Sequence, residues 1–389
     1  MRTYSVLRNM SRATGNNPFS VGPRVAREAA PAHPRVDVER LDPRHVRDLS
    51  RDPEVAGIAP SMPTRLIKHT LSTEVLAAGD AWGIAAVGAD VSAFNGDGTV
   101  VAVLDTGIDR THPAFAGVNL KEMDFSGTGN GDTQGHGTHC AGTIFGRDVN
   151  GMRIGVARGV KDALIGKVLS GDGGTSPMIF QGIQWAINNN AHVVSMSLGF
   201  DFPGFVKQLV DGGMAVDLAT SVALEGYLGN ARMFDALMEM LEAQTAFGEG
   251  TIVVAAAGNE SRRNENPTHE VGVALPGAAQ GVVSVGALQR TAGGFVVAGF
   301  SNTFPQISAP GVDIKSAKAG GGLVSFNGTS MACPHVAGVA ALWWQAVRGM
   351  PVRPSARVVL ARMLAASRAN VFGGGVDIED RGVGLVTAP

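Results

Sequence analysis

Four short apolar runs stand out beyond residue 70: TVVAVLD at 99–105, HVVSMSLG at 192–199, TIVVAAAGN at 251–259 and GVVSVGAL at 281–288. Each is apolar at successive rather than alternate positions and is flanked by glycine or polar turn residues, the pattern of strands covered on both faces. Between them lie helical patterns at SPMIFQGIQWAINNN (176–190), RMFDALMEMLEAQTAF (232–247) and MACPHVAGVAALWWQAV (331–347). Strands alternating with helices predict an α/β fold, a three-layer doubly wound and mainly parallel sheet whose ligands gather at the carboxyl ends of the strands. No internal repeat interrupts this order.

The first 73 residues follow another pattern. RTYSVLRN and RVDVERL read as short strands, Asp42 as the N-cap of a helix over DPRHVRDLS, and EVAGIAP as a further strand, together a small α+β unit. Residues 11–34 are rich in Pro, Gly, Asn and Ala without a period and read as a loop. The chain therefore divides into residues 1–73 and a main domain over 74–389. Of the 32 basic and 34 acidic residues, 12 and 7 fall in the first part, leaving 20 against 27 in the second. Opposite net charges favour docking of one part on the other.

Composition narrows the function. A chain of 389 residues, 44% hydrophobic, buries a large core, and 53 glycines suit many tight turns. A formal net charge of −2 and the absence of a basic, aromatic-interleaved stripe exclude nucleic acid as an expected partner. No apolar run reaches the length of a membrane span, so no membrane partner is expected. MRTYSVLRNMSRATGNN lacks the apolar stretch of a secretory signal. Localisation stays open between the cytoplasm and export by an unrecognised route. Cys140 and Cys333 allow one disulfide at most and form no metal-ligand cluster; both read as small buried hydrophobes.

Three polar residues stand at places where chemistry is common. Asp105 ends the run VVAVLD before a Thr-Gly turn, where a carboxylate caps the turn, binds a metal or orients a base. His136 opens GHGTHCAGTI at a predicted helix start; its alternatives are a packed histidine on a backbone carbonyl or, with His139, a zinc pair that lacks the metalloprotease Glu and spacing. Ser330, in FNGTSMACPHVAG, stands at a helix N-terminus, where serine is commonly a cap but where free N–H groups also suit an oxyanion.

Taken together, DTGID, HGTHCAG and GTSMACPHVAG resemble the three active-site signatures of the subtilisin-like serine peptidases (subtilases, peptidase family S8), in that family's order Asp, His, Ser. The resemblance extends from about Trp82 to Val386. It implies a serine endopeptidase that hydrolyses peptide bonds through an acyl-enzyme, with Ser330 as nucleophile, His136 as general base and Asp105 orienting the histidine. It also implies an oxyanion hole made by Asn259 and the Ser330 N–H. An extended polypeptide substrate would lie between Ser197-Leu198-Gly199 and the loop around Gly171 and Gly173, with Ala256 and Gly258 forming the pocket for the residue before the cleaved bond. No cofactor is required, no catalytic metal is expected, and calcium is expected at most as a structural ion.

Residues 1–73 resemble a shortened prosegment, an intramolecular inhibitor in a zymogen, strongest from Arg35 to Leu66. Gly199 and Asn259 lie farther apart than the family usually places them, which marks an insertion at about 201–250, read as an added helix pair. Met233, Met238 and Met240 in it read as core. Two alternatives remain at this stage: a peptide ligase or macrocyclase of the same fold, in which an amine resolves the acyl-enzyme, and a non-catalytic peptide-binding module.

Overall fold

The apolar runs assemble side by side, in the spatial order Gly294–Val297, Val282–Thr291, Ile252–Ala256, Val193–Met196, Val100–Asp105, Asp162–Lys167 and Asn119–Asp124, with Ile307–Pro310 also paired to Val282–Thr291. Every pairing is parallel except that of the edge hairpin strand Gly294–Val297. The computed structural model describes residues 1–10, 34–67, 70–71, 81–171, 173–246 and 248–389. The loop expected at 11–34, apart from Pro34, and the boundary expected between 73 and 74 lie outside the described residues.

The pleat explains why the runs are apolar throughout. Val101 and Val103 face one core, packed beneath helices His136–Phe145 and Thr329–Arg348; Ala102 and Leu104 face the other, beneath Ser176–Asn188 and Val216–Gln244. Val254 and Ala256 alternate with Val253 and Ala255 in the same way. This is the three-layer, doubly wound α/β arrangement that the alternating runs predict.

The described residues among 2–60 form an α+β unit, an antiparallel sheet in the order Pro34–Leu41, Arg2–Asn9, Val55–Pro60 with the helix Pro43–Leu49. Asp42 caps that helix, its Oδ1 accepting from the N–H groups of Arg44 and His45 at 2.9 and 3.0 Å. The unit's inner face adds Leu7, Val36 and Ala59 to the core that also holds Ile179, Phe180 and Met233. Two polar clasps fix the contact: Gln184 accepts from the Val36 N–H and donates to the Pro34 carbonyl, both at 3.1 Å, and Asn230 donates to the Pro60 carbonyl at 2.9 Å. The charge difference between the two parts enters this contact at one residue: among the described residues only Arg65 forms ion pairs across it. The rest of the described contact is apolar packing and uncharged hydrogen bonds.

The insertion is a helix pair, Phe202–Asp211 and Val216–Gln244. The second helix begins 16 residues before the predicted pattern at 232. Its N-terminal half packs Gly226 and Gly229 against Pro60, so the N-terminal unit supplies the surface that the local sequence did not announce. Met233, Met238 and Met240 are buried, as read.

Candidate active site

Asp105 ends the strand Val100–Asp105, and the chain then reverses through Gly107 at φ +102°. A side chain there would meet the Gly131 carbonyl oxygen at 2.3 Å, so glycine is required for the loop 124–135 to close over the strand end. The His136–Phe145 helix starts directly after Gly135, also at positive φ. Together these turns bring His136 Nδ1 to 2.8 Å from Asp105 Oδ1, with both side chains buried. The same oxygen accepts the Thr106 N–H at 2.8 Å. Burial alone would push the His136 imidazolium down, but the adjacent Asp105 carboxylate outweighs it and holds His136 well above the usual histidine range. Cys140 also lies beside the ring, at 3.8 Å, yet burial pushes its thiol up, so it stays neutral and adds no charge.

Ser330 is the second residue of the helix Thr329–Arg348, whose N-cap is Gly328. Its hydroxyl donates to the Ser197 carbonyl at 3.4 Å, a long bond, while its own carbonyl accepts from Ser197 Oγ at 2.9 Å. Cys140 Sγ bridges the two halves of the site, 3.8 Å from His136 Nδ1 and 3.4 Å from the Ser330 carbonyl. Asn259 stands across from the helix start. Its Oδ1 accepts from both the N–H and the hydroxyl of Thr329 at 2.9 Å, and Thr329 Oγ1 accepts the Gly258 N–H at 3.2 Å. With its oxygen committed there, the amide nitrogen is directed toward Gly328, where a Cβ would lie 2.9 Å from it. Thr329 was not singled out from the sequence; its signal was its place in the GTS signature.

The cleft contains a strand of the chain itself. Pro63–Leu66 pairs antiparallel with Leu198–Phe200 on one side and Gly174–Thr175 on the other, in the register Leu66↔Leu198, Arg65↔Gly199, Thr64↔Phe200 and Thr64↔Gly174. Ile67 follows, buried in the same core cluster as Ala256, with the missing side chain of Gly199 leaving room for its Cγ1 at 3.4 Å from where a Cβ would stand. Gly258, at φ +115°, has no space for a Cβ, which would lie 2.2 Å from Asn302 Nδ2. Of the loop glycines, Gly173 abuts the strand, a Cβ there meeting the Thr64 carbonyl oxygen at 2.4 Å, whereas Gly171 sits at the exposed turn with nothing within 4 Å. Gly174, absent from the expected set, makes the pairing. Beyond the cleft, Thr70–Leu71 pairs with Leu323–Asn327.

The alternative roles fall away locally. His139 Nε2 bonds the Ile314 carbonyl at 2.9 Å and its ring stacks on Phe326, so it does not join His136 in a zinc pair. Both cysteines are buried and free of a disulfide, and burial pushes Cys333 up to about 12. Among the described residues, one group of three His, Cys, Asp or Glu ligand atoms lies close enough to hold a metal, Asp105, His136 and Cys140. Its nitrogen and sulfur donors do not suit calcium, which takes six or more oxygens. No helix among the described residues is long and apolar enough to cross a membrane.

Residues 96–380 match the Subtilase family. The chain is 35% identical over 309 residues to a thermostable alkaline protease of Halalkalibacterium halodurans, covering 78% of this chain and 70% of that one. It is 32% identical to subtilisin E of Bacillus subtilis, covering 78% and 68%. Among solved structures it resembles fervidolysin of Fervidobacterium pennivorans, a keratinolytic enzyme related to subtilisin, with a TM-score of 0.62 at 24% identity. That match covers 86% of this chain, which spans about half the length of fervidolysin. With the fold, the matched family and these relatives in agreement, the chain belongs to the subtilase family and is a serine-type endopeptidase.

Proposed function

We propose that this endopeptidase works through Ser330, His136 and Asp105, and that residues up to Ile67 occupy its cleft as an intramolecular inhibitor in a zymogen. The observation that carries the reading is the buried 2.8 Å bond between His136 and Asp105, joined through Cys140 Sγ to the Ser330 carbonyl at a helix start. Serine at its own pKa is a poor nucleophile, so His136 takes its proton as the hydroxyl attacks and later delivers it to the leaving amine. Asp105 fixes the tautomer through Nδ1 and stabilises the imidazolium, in line with the raised basicity of His136. The oxyanion forms between the Asn259 amide and the Ser330 N–H, both fixed before the reaction starts. Collapse releases the amine, and water then resolves the acyl-enzyme.

Antiparallel main-chain pairing on both sides of Pro63–Leu66, with Ile67 beside Gly199 and Ala256, supports the substrate-like placement of this strand. On this reading the bond cleaved is the one that follows Ile67. The test is a fluorophosphonate probe on the purified chain alongside Ser330→Ala, with the same samples run on a gel and analysed by mass. Wild type should be labelled and should lose a fragment ending at Ile67, and the variant should do neither. Equal labelling of the two proteins would refute the nucleophile. A wild type that stays full length while cleaving casein would remove the zymogen.

A further inference from the structure

Strand alternation turns Arg65 away from the face shared by Thr64 and Leu66. On an isolated peptide that side chain would stand in water. Here its guanidinium lies between two carboxylates, Nη1 at 2.8 Å from Asp201 Oδ1 and Nη2 at 3.5 Å from Glu260 Oε1. One carboxylate comes directly after the strand Leu198–Phe200 and the other directly after Asn259.

Both are held by the protease domain independently of Arg65. Asp201 caps the first insertion helix, its Oδ1 accepting the Gly204 N–H at 3.0 Å. Glu260 Oε2 accepts from Asn302 Nδ2 at 2.8 Å. The three side chains are between 21% and 36% exposed, so the pairing is shielded more than a surface ion pair. Two anchored carboxylates aimed at one point repel each other until a cation lies between them.

We propose that Asp201 and Glu260 form an acidic subsite that selects polypeptide substrates with arginine at the third residue before the cleaved bond, counting Ile67 as the first. The inference rests on the substrate-like placement of Pro63–Leu66 argued above. Arginine suits the site better than lysine because its planar fork reaches both carboxylates, whereas an ammonium is a single point of charge. The insertion that begins at Asp201 thereby contributes directly to selectivity.

Two quenched peptides test this with the purified full chain as isolated: Pro-Thr-Arg-Leu-Ile-Lys and the same sequence with Gln for Arg. The arginine peptide should be cleaved with about tenfold higher kcat/KM, and the ratio should fall below about threefold in Asp201→Asn/Glu260→Gln. Equal kcat/KM for both peptides in a chain whose Ser330 takes the fluorophosphonate probe overturns the subsite and leaves the triad reading standing. Absence of both labelling and cleavage defeats the triad reading instead. The subsite is then decided by amide hydrogen exchange in the uncut Ser330→Ala chain. Arg65→Gln should speed exchange at residues 64–66 about tenfold, and should have no such effect in the Asp201→Asn/Glu260→Gln background. Unchanged exchange overturns the inference.

Discussion

Thr329→Val isolates how the oxyanion donor is held. Valine keeps the β-branch and nearly the volume of threonine, so the start of the buried helix has no reason to move. The backbone bond from residue 329 to Asn259 Oδ1 survives; the hydroxyl bond to the same oxygen is lost, and the Gly258 N–H loses its acceptor. Leaving that buried N–H unpaired costs about 1–3 kcal/mol of folding stability. Releasing the hydroxyl bond that helps orient the Asn259 amide weakens oxyanion binding by about 1–2 kcal/mol, which is roughly five- to thirtyfold in kcat. Because the amide meets negative charge only as the tetrahedral species forms, KM should change less than about twofold.

The assay is steady-state peptide hydrolysis with enzyme concentration fixed by fluorophosphonate titration. Thr329→Ser, which restores the hydroxyl, should recover kcat to within about threefold of wild type. The reasoning fails if Thr329→Val keeps wild-type kcat while Asn259→Ala loses most of it. It fails equally if Thr329→Ser is as slow as Thr329→Val.

Two other predictions concern folding, best measured in the Ser330→Ala chain to avoid self-digestion. Gly107→Ala places a Cβ 2.3 Å from the Gly131 oxygen at a φ of +102° and should destabilise the chain by about 2–5 kcal/mol in denaturant unfolding; a loss under about 1 kcal/mol would show that the loop 124–135 yields freely. Burial holds the His335 imidazole down at about 4, its Nδ1–H bonded to the Met331 carbonyl at 2.8 Å. A folded-state value below the unfolded one means the unfolded chain takes up the proton first. Stability is therefore full above about pH 6.5 and falls as the pH drops toward 4, by about 2 kcal/mol between pH 7.5 and 5. If His335→Asn showed the same loss over that range, the assignment to this residue would be wrong.

The sequence by itself determined the sheet and the candidate chemistry. Runs such as VVAVLD are apolar at every position because Val101 and Val103 face one core while Ala102 and Leu104 face the other, a requirement written locally. Asp105, His136 and Ser330 lie at ends of such elements, inside signatures several residues long, so their neighbourhood was legible before their distances were. Asn259 was legible for the same reason. The first half of the helix Val216–Gln244 was not, because Leu218, Leu224 and Leu228 stay exposed and its small residues pack on Pro60, a residue far away in the chain. Local periodicity carries no record of such a contact.

Only the tertiary structure decided what lies in the cleft and what surrounds it. Pairing of Pro63–Leu66 with Leu198–Phe200 and Gly174–Thr175 depends on backbone groups, which residues other than proline carry alike, so side-chain type does not announce it. The hold of Thr329 on Asn259, and of Asp201 and Glu260 on Arg65, joins side chains distant in sequence. Each is an ordinary polar residue in its own segment. Their function arises where folding converges the carboxyl ends of the strands, the helix starts and the insertion on one line of backbone.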